Sequence, residues 1–194
     1  MARIGLYFGS FNPIHNGHIR VAQYIRENGS FEEIWFVPSP LNPLKSEETL
    51  IPAHIRLNWV QKALKGVPGL SVSDLEFHLP IPSYTFQSAQ AFVQQFPEHE
   101  FALIMGADNL HGFHRWQHAE ELSLLTPIHV YARPGFPKPE QIPLPYNAIW
   151  YDAPLLGISA TQIRESLWND DSINAWVPKP ILSEVTEFFA EVKP

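Results

Sequence analysis

The sequence predicts an α/β fold: a doubly wound, mostly parallel sheet with helices on both faces. Two observations carry that prediction. Short apolar runs alternate with stretches of helical periodicity from one end of the chain to the other, the pattern of repeated βαβ units. The chain's 194 residues, 45 % apolar and 17 % charged, suffice for one domain that buries roughly 70 % of its unfolded surface. Taken in order, Ile4 to Phe8 reads as a strand, Gly17 to Glu27 as a helix with Val21, Ala22 and Ile25 on one side, and Ile34 to Val37 as a second strand. A Pro-rich loop at 38 to 52 leads to a helix near 53 to 65, with Ile55, Trp59, Val60 and Ala63 on one side, and a weak strand near 70 to 74. Phe86, Ala89, Gln90 and Val93 mark another helix, and Phe101 to Met105 the next strand. Two further apolar runs, Ile128 to Ala132 and Ala148 to Tyr151, flank a loop holding five of the 19 prolines. Helices near 161 to 168 and 179 to 192 close the chain, so the expectation is a single domain over 1–194 with a C-terminal helical portion from about 158.

Composition excludes several classes of function. A formal charge of −7 is the wrong footprint for a general nucleic-acid binder, which presents a basic stripe. The absence of cysteine removes disulfides, thiolate metal sites and thiol catalysis. The opening MARIGLYFGSF is broken too soon by Gly, Asn and Pro for a signal peptide, and no run approaches the ~20 apolar residues of a membrane span. A cytoplasmic protein acting on small molecules is expected, without a membrane or nucleic-acid partner; a homo-oligomer stays open.

In a doubly wound sheet, ligands bind beyond the carboxyl ends of the strands, so the segments that follow strands matter most. Gly9 sits where the first strand ends, and a missing side chain there lets a phosphate approach the backbone. Gly17 opens the next helix. Its free N–H groups and positive dipole end favour an anion, at which His15 and His18 would both point.

The run Gly9-Ser10-Phe11-Asn12-Pro13-Ile14-His15-Asn16-Gly17-His18 resembles the signature of the nucleotidyltransferases with a His-x-Gly-His motif. Ile158-Ser159-Ala160-Thr161-Gln162-Ile163-Arg164 is similar to their second signature, Ile-Ser-x-Thr-x-Ile-Arg. The segments between resemble the nicotinate-nucleotide adenylyltransferase branch over essentially the whole chain. That resemblance implies a Rossmann-like nucleotidyltransferase fold and transfer of AMP from ATP to nicotinate mononucleotide in NAD biosynthesis, with Mg²⁺ accompanying ATP and no metal held by residues of the chain. A phosphate monoester with a second pKa near ~6 is already largely ionised at neutral pH. The reaction therefore needs aligned polyanions and fixed donors rather than a general base. Imidazoles beside phosphates are biased toward their protonated, donating form, which suits His15 and His18.

What the resemblance implies for single residues follows the same two signatures. His15, His18 and Arg164 become the catalytic donors, and Gly9, Ser10, Phe11, Gly17, Ser159, Thr161 and Arg133 the ATP and phosphate contacts. Lys45, in "VPSPLNPLK", matches a basic loop position that meets phosphates, with Leu44 where relatives carry His. Thr85 in "SYTF" inherits a contact to the mononucleotide, unless it only caps a helix; Gln87 stands where many relatives have Asp. In "MGADNLHGFHRW", Asp108 accepts from ribose hydroxyls or caps the next helix, and Trp116 stacks on the pyridine ring or fills core. His111, His114 and His118 would share one face of a continuous helix. With no cysteine and no obvious carboxylate partner they read as surface or supporting histidines rather than a zinc site. Trp176 and the pattern Ile181, Val185, Phe188, Phe189 read as core or subunit contact. The rival expectations are a sibling preferring nicotinamide mononucleotide or phosphopantetheine, and a non-catalytic module that senses a dinucleotide.

Overall fold

The computed structural model describes residues 1–41, 50–140, 145–154 and 156–192. Six strands form one sheet: β1 (Ala2–Gly9), β2 (Glu33–Pro38), β3 (Leu70–Val72), β4 (His99–Gly106), β5 (Ile128–Tyr131) and β6 (Ile149–Tyr151). Every pairing is parallel, in the order β3-β2-β1-β4-β5-β6. Because β1 extends one way to β2 and β3 and the other way to β4, β5 and β6, the order reverses between β1 and β4. A crevice therefore opens beyond Gly9 and Gly106, at the carboxyl ends of those two strands.

Alternation along each strand sends side chains to two buried faces, as a parallel sheet requires. On one face Tyr7, Ile34, Phe36, Ala102 and Ile104 pack under α1 (Asn16–Asn28), α2 (Ala53–Leu64), α6 (Ala160–Trp168) and α7 (Leu182–Glu191). On the other, Ile4, Leu6, Leu103, Met105 and Val130 meet α3 (Thr85–Gln95), α4 (Ala107–Gly112) and α5 (Ala119–Leu125). The C-terminal helical portion shares the first core: Ile163, Ile173, Val177, Ile181, Val185 and Phe189 lie with Ile14, Val21 and Trp59.

The condition for a shared face of His111, His114 and His118 is not met: the three exposed histidines do not share a helix, because α4 stops at Gly112, a 3-10 turn follows at Phe113–Arg115, and His118 takes φ 55 ahead of α5. The bend inserts the Phe113 ring, with no exposed surface, into the core beneath α4 and α5. His111 instead meets the Phe136 ring at 5.5 Å, and His118 stacks on Phe86 at 4.8 Å and pairs with Glu121 at 3.2 Å. Among the described residues no helix is long and apolar enough to cross a membrane.

Candidate active site

The turn after β1 brings the two signature imidazoles face to face. His15 is the N-cap of α1 and His18 the third residue of that helix, and their rings stack with centroids 3.7 Å apart and an interplanar angle of 25°. The His15 N–H donates to His18 Nδ1 at 3.3 Å, so a neutral His18 carries its proton on Nε2. Gly17 is required by this packing: a Cβ there would lie 2.9 Å from His15 Nδ1. At Gly9 a Cβ would lie 2.9 Å from the Phe11 ring. The space left by that glycine is thus filled by an aromatic ring, not held open for a phosphate. The Phe11 ring is buried against Tyr7, Phe36 and the edge of His18, at φ 44. What Ser10 and Phe11 offer the crevice is the turn they form. Ser10 Oγ is buried without a hydrogen-bond partner and faces the same cavity.

The second signature closes on the first. Ser159 is the N-cap of α6, accepting from Gln162 N at 3.1 Å, while Gln162 Oε1 accepts from Ser159 N at 2.8 Å. That reciprocal cap satisfies helix-end donors, and it occupies the Ser159 hydroxyl that the sequence suggested for phosphate. Arg164, one turn on, donates to the carbonyl of Asn12 at 2.8 Å and to Thr161 Oγ1 at 3.2 Å. Two distant stretches of chain are therefore joined by one guanidinium.

Between them lies Arg133, just past β5. Its Nε stands 3.5 Å from Asp108 Oδ1, and its guanidinium lies over the Tyr131 ring. Neither atom closes a hydrogen bond, although both are buried. Tyr131 and Tyr7 share a buried hydroxyl contact of 3.0 Å below the histidines, and burial raises both phenol pKa values. Burial first, and Arg133 second, push His15 down to about 4. The His15 ring of the protein alone is thus neutral at pH 7; the expected protonated form is that of a ring beside phosphates.

A cavity of about 830 Å³ gathers most of these groups. Gly9, Ser10, Phe11, His15, His18, Thr85, Asp108, Trp116, Arg133, Ser159, Thr161 and Arg164 all line it. A smaller adjoining cavity of about 430 Å³ shares His15, His18 and Arg133 and adds Gly17, Val21, Pro134, Leu156 and Ile158. Thr85 is the first residue of α3, not its cap, since Tyr84 holds that position without a side-chain cap. Asp108 lies in the first turn of α4 behind the N-cap Gly106. Trp116 is half-buried, packed 5.2 Å from Phe113 on one side. Lys45 and Leu44 fall outside the described residues.

Three supports escaped the sequence reading. Arg56 is 0 % exposed and gives hydrogen bonds to the carbonyls of Ile51, Ser10, Ser39 and Pro40 at 2.6 to 2.8 Å. Burial lowers it to about 10, so it remains charged at pH 7. Its position three residues before Trp59 and four before Val60 puts a cation on an apolar stripe, a signal that was legible. Glu76 is a buried carboxyl on the cavity wall and had no pattern to announce it. Finally, Asn16 donates to the carbonyls of Trp176 and Ala175 at 2.8 and 2.9 Å. The C-terminal segment thereby holds the start of α1.

Comparison with known proteins agrees with this geometry. Residues 6–166 match the Cytidylyltransferase-like family. A probable nicotinate-nucleotide adenylyltransferase of Bacteroides fragilis is 40% identical over 185 residues, covering 95% of this chain and 92% of that protein. One of Porphyromonas gingivalis is 38% identical over 182 residues, covering 93% and 92%. Among solved structures, the Plasmodium falciparum nicotinic acid mononucleotide adenylyltransferase complexed with NaAD superposes with a TM-score of 0.82 at 22% identity, covering 100% of this chain and 99% of that one. The chain therefore belongs to the nicotinate-nucleotide adenylyltransferases, a branch of the Cytidylyltransferase-like nucleotidyltransferases.

Proposed function

We propose that this chain transfers the adenylyl group of ATP to nicotinate mononucleotide, releasing pyrophosphate and forming the deamido dinucleotide of NAD biosynthesis, with residues 1–194 acting as one domain in the cytoplasm. The observation that carries it is the stacked His15–His18 pair opening α1 and tied through Asn12 to Arg164 at the start of α6. Two helix N-termini and three side-chain donors converge on one spot, as phosphates require. The ionised phosphate of the mononucleotide attacks the α-phosphorus, a new P–O bond forms, and the bond to the bridging oxygen breaks. His15, His18 and Arg164 donate to the oxygens on which charge grows, in a site that is largely pre-formed. His15 starts neutral, so it gains a proton as the polyanion enters. The turn of Gly9, Ser10 and Phe11, the α1 start at Gly17, Lys45, the α6 start at Ser159 and Thr161, and Arg133 hold the triphosphate. The apolar walls of the smaller cavity, Val21, Pro134, Leu156 and Ile158, suit a flat purine.

On the acceptor side, Asp108 accepts from ribose hydroxyls and Trp116 offers an open ring face to the pyridine. The first turn of α3 at Thr85 lacks a side-chain cap, which favours a carboxylate over a carboxamide at that end. Mg²⁺ fits as a cation carried on ATP. Among the described residues no three His, Cys, Asp or Glu gather as a protein cage, and magnesium commonly keeps phosphate and water ligands. Such a cation would supply charge neutralisation on the phosphates of ATP. The test is pyrophosphate release with ATP and Mg²⁺ and, in separate assays, the acid mononucleotide, its amide and phosphopantetheine. The acid should be strongly preferred; preference for either alternative refutes the substrate, and tight binding with no turnover supports a sensing module.

A further inference from the structure

The link between β3 and α3 carries a carboxyl that the phosphate chemistry leaves unused. Glu76 lies in a 3-10 turn, Leu75–His78, is 2 % exposed, and lines the large cavity near Ser39, Ser83 and Thr85. Ser88 Oγ donates to its Oε1 at 2.5 Å, the short end of the hydroxyl hydrogen-bond range. Its Oε2 is buried with no hydrogen-bond partner, as is Ser83 Oγ. The hydroxyls around it come from three separate segments: Ser39 follows β2, Ser83 precedes Thr85 by two residues, and Ser88 is the fourth residue of α3. The carbonyl of Ser39 is in turn held by Arg56, which also grips the carbonyl of Ser10 in the first signature. Arg56 thus joins the first signature to the end of β2, while the bond from Ser88 joins Glu76 to the first turns of α3.

We infer that Glu76 is a positioning residue for the acceptor: through its bond to Ser88 it fixes the first turn of α3, with Thr85, relative to the phosphate-binding turn. This rests on the adenylyl-transfer reading above. Alignment of two bound substrates is sensitive to displacements of about 1 Å, and a hydrogen bond to a charged group is strong enough to set such a position. Burial raises the Glu76 pKa while neighbouring serine hydroxyls, Ser88 first, lower it.

The test compares wild type, Glu76→Ala, Glu76→Gln and Ser88→Ala for KM of nicotinate mononucleotide, KM of ATP, kcat and thermal stability. In Glu76→Ala the acceptor KM should rise about tenfold or more, the worth of one charged hydrogen bond. The ATP KM should stay within about twofold, a split that general loosening does not produce. Glu76→Gln keeps an oxygen that accepts from Ser88 and should recover most of the loss; Ser88→Ala should shift the acceptor KM in the same direction. If Glu76→Ala fails to fold, Glu76→Gln and Ser88→Ala decide alone. Equal rises in both KM values, or an acceptor KM unmoved in Ser88→Ala, overturn the inference while the reaction stands. A wild type that releases no pyrophosphate overturns both.

Discussion

Acidification should destabilise this protein between about pH 6.5 and 4, and replacing His129 should remove about 2 kcal/mol of that loss. His129 is 1 % exposed at the start of β5. Its Nε2 lies 3.1 Å from Arg3 Nη2 and its Nδ1 2.8 Å from the Tyr151 hydroxyl. A guanidinium only donates, so Nε2 must accept and the ring is neutral with its proton on Nδ1. Burial first, and Arg3 second, lower it to about 4, and His15 is held at about 4 as well. The unfolded chain, with histidines near 6.5, binds more protons than the folded one in this window, so stability is complete above it and falls as pH drops. From pH 7 to 5 each ring accounts for about 2 kcal/mol, and the pair for about 4 kcal/mol, a large share of a typical folding free energy. Glu76, whose folded pKa is raised, acts in the opposite direction over its own range, and a comparison of two proteins cancels it. The assay is urea unfolding of wild type and His129→Gln at both pH values, with linear extrapolation. The Gln amide can accept from Arg3 and donate to Tyr151, yet it does not titrate. The variant should lose about 2 kcal/mol less than wild type between pH 7 and 5; an equal loss refutes the neutral, buried imidazole.

Other outcomes follow from the site. His18→Ala should cut kcat by ~10² while changing the KM for ATP little, the signature of a donor that acts mainly in the transition state; steady-state kinetics read both. Binding of a non-hydrolysable ATP analogue near pH 6.5 should take up a proton in wild type and not in His15→Asn, measured by calorimetry in buffers of different ionisation enthalpy. Trp116→Ala should raise the mononucleotide KM by about tenfold, the worth of a lost aromatic stack, and leave ATP affinity unchanged.

The charge arrangement explains why these measurements are linked. Two imidazoles stacked at 3.7 Å cannot both be charged at little cost in a buried turn. Arg133, close enough to lower His15, adds to that penalty. The crevice therefore holds a neutral His15 ring near Arg133. Asp108 beside Arg133 places an opposite charge next to a guanidinium that is one third exposed.

The architecture was legible because strand and helix periods alternate without interruption, and both signatures sit at strand ends or helix starts, where local residue chemistry dictates geometry. His15, Gly17 and His18 belong to one helical turn, and Ser159 to Arg164 to another, so spacing alone fixed their relation within each group. What spacing does not carry is the meeting of the two groups, since the Arg164 bond to Asn12 spans 152 residues. The break after α4 was hidden for the same reason: helical spacing of three histidines yields to burial of Phe113, a tertiary event. Arg56 is the instructive intermediate. Its place on an apolar helix stripe marks it as a buried cation, but its four carbonyl partners lie in loops brought together only by the fold. Sequence thus exposes the donors that belong to one turn, while the supports that hold those turns at a working distance come from elsewhere in the chain.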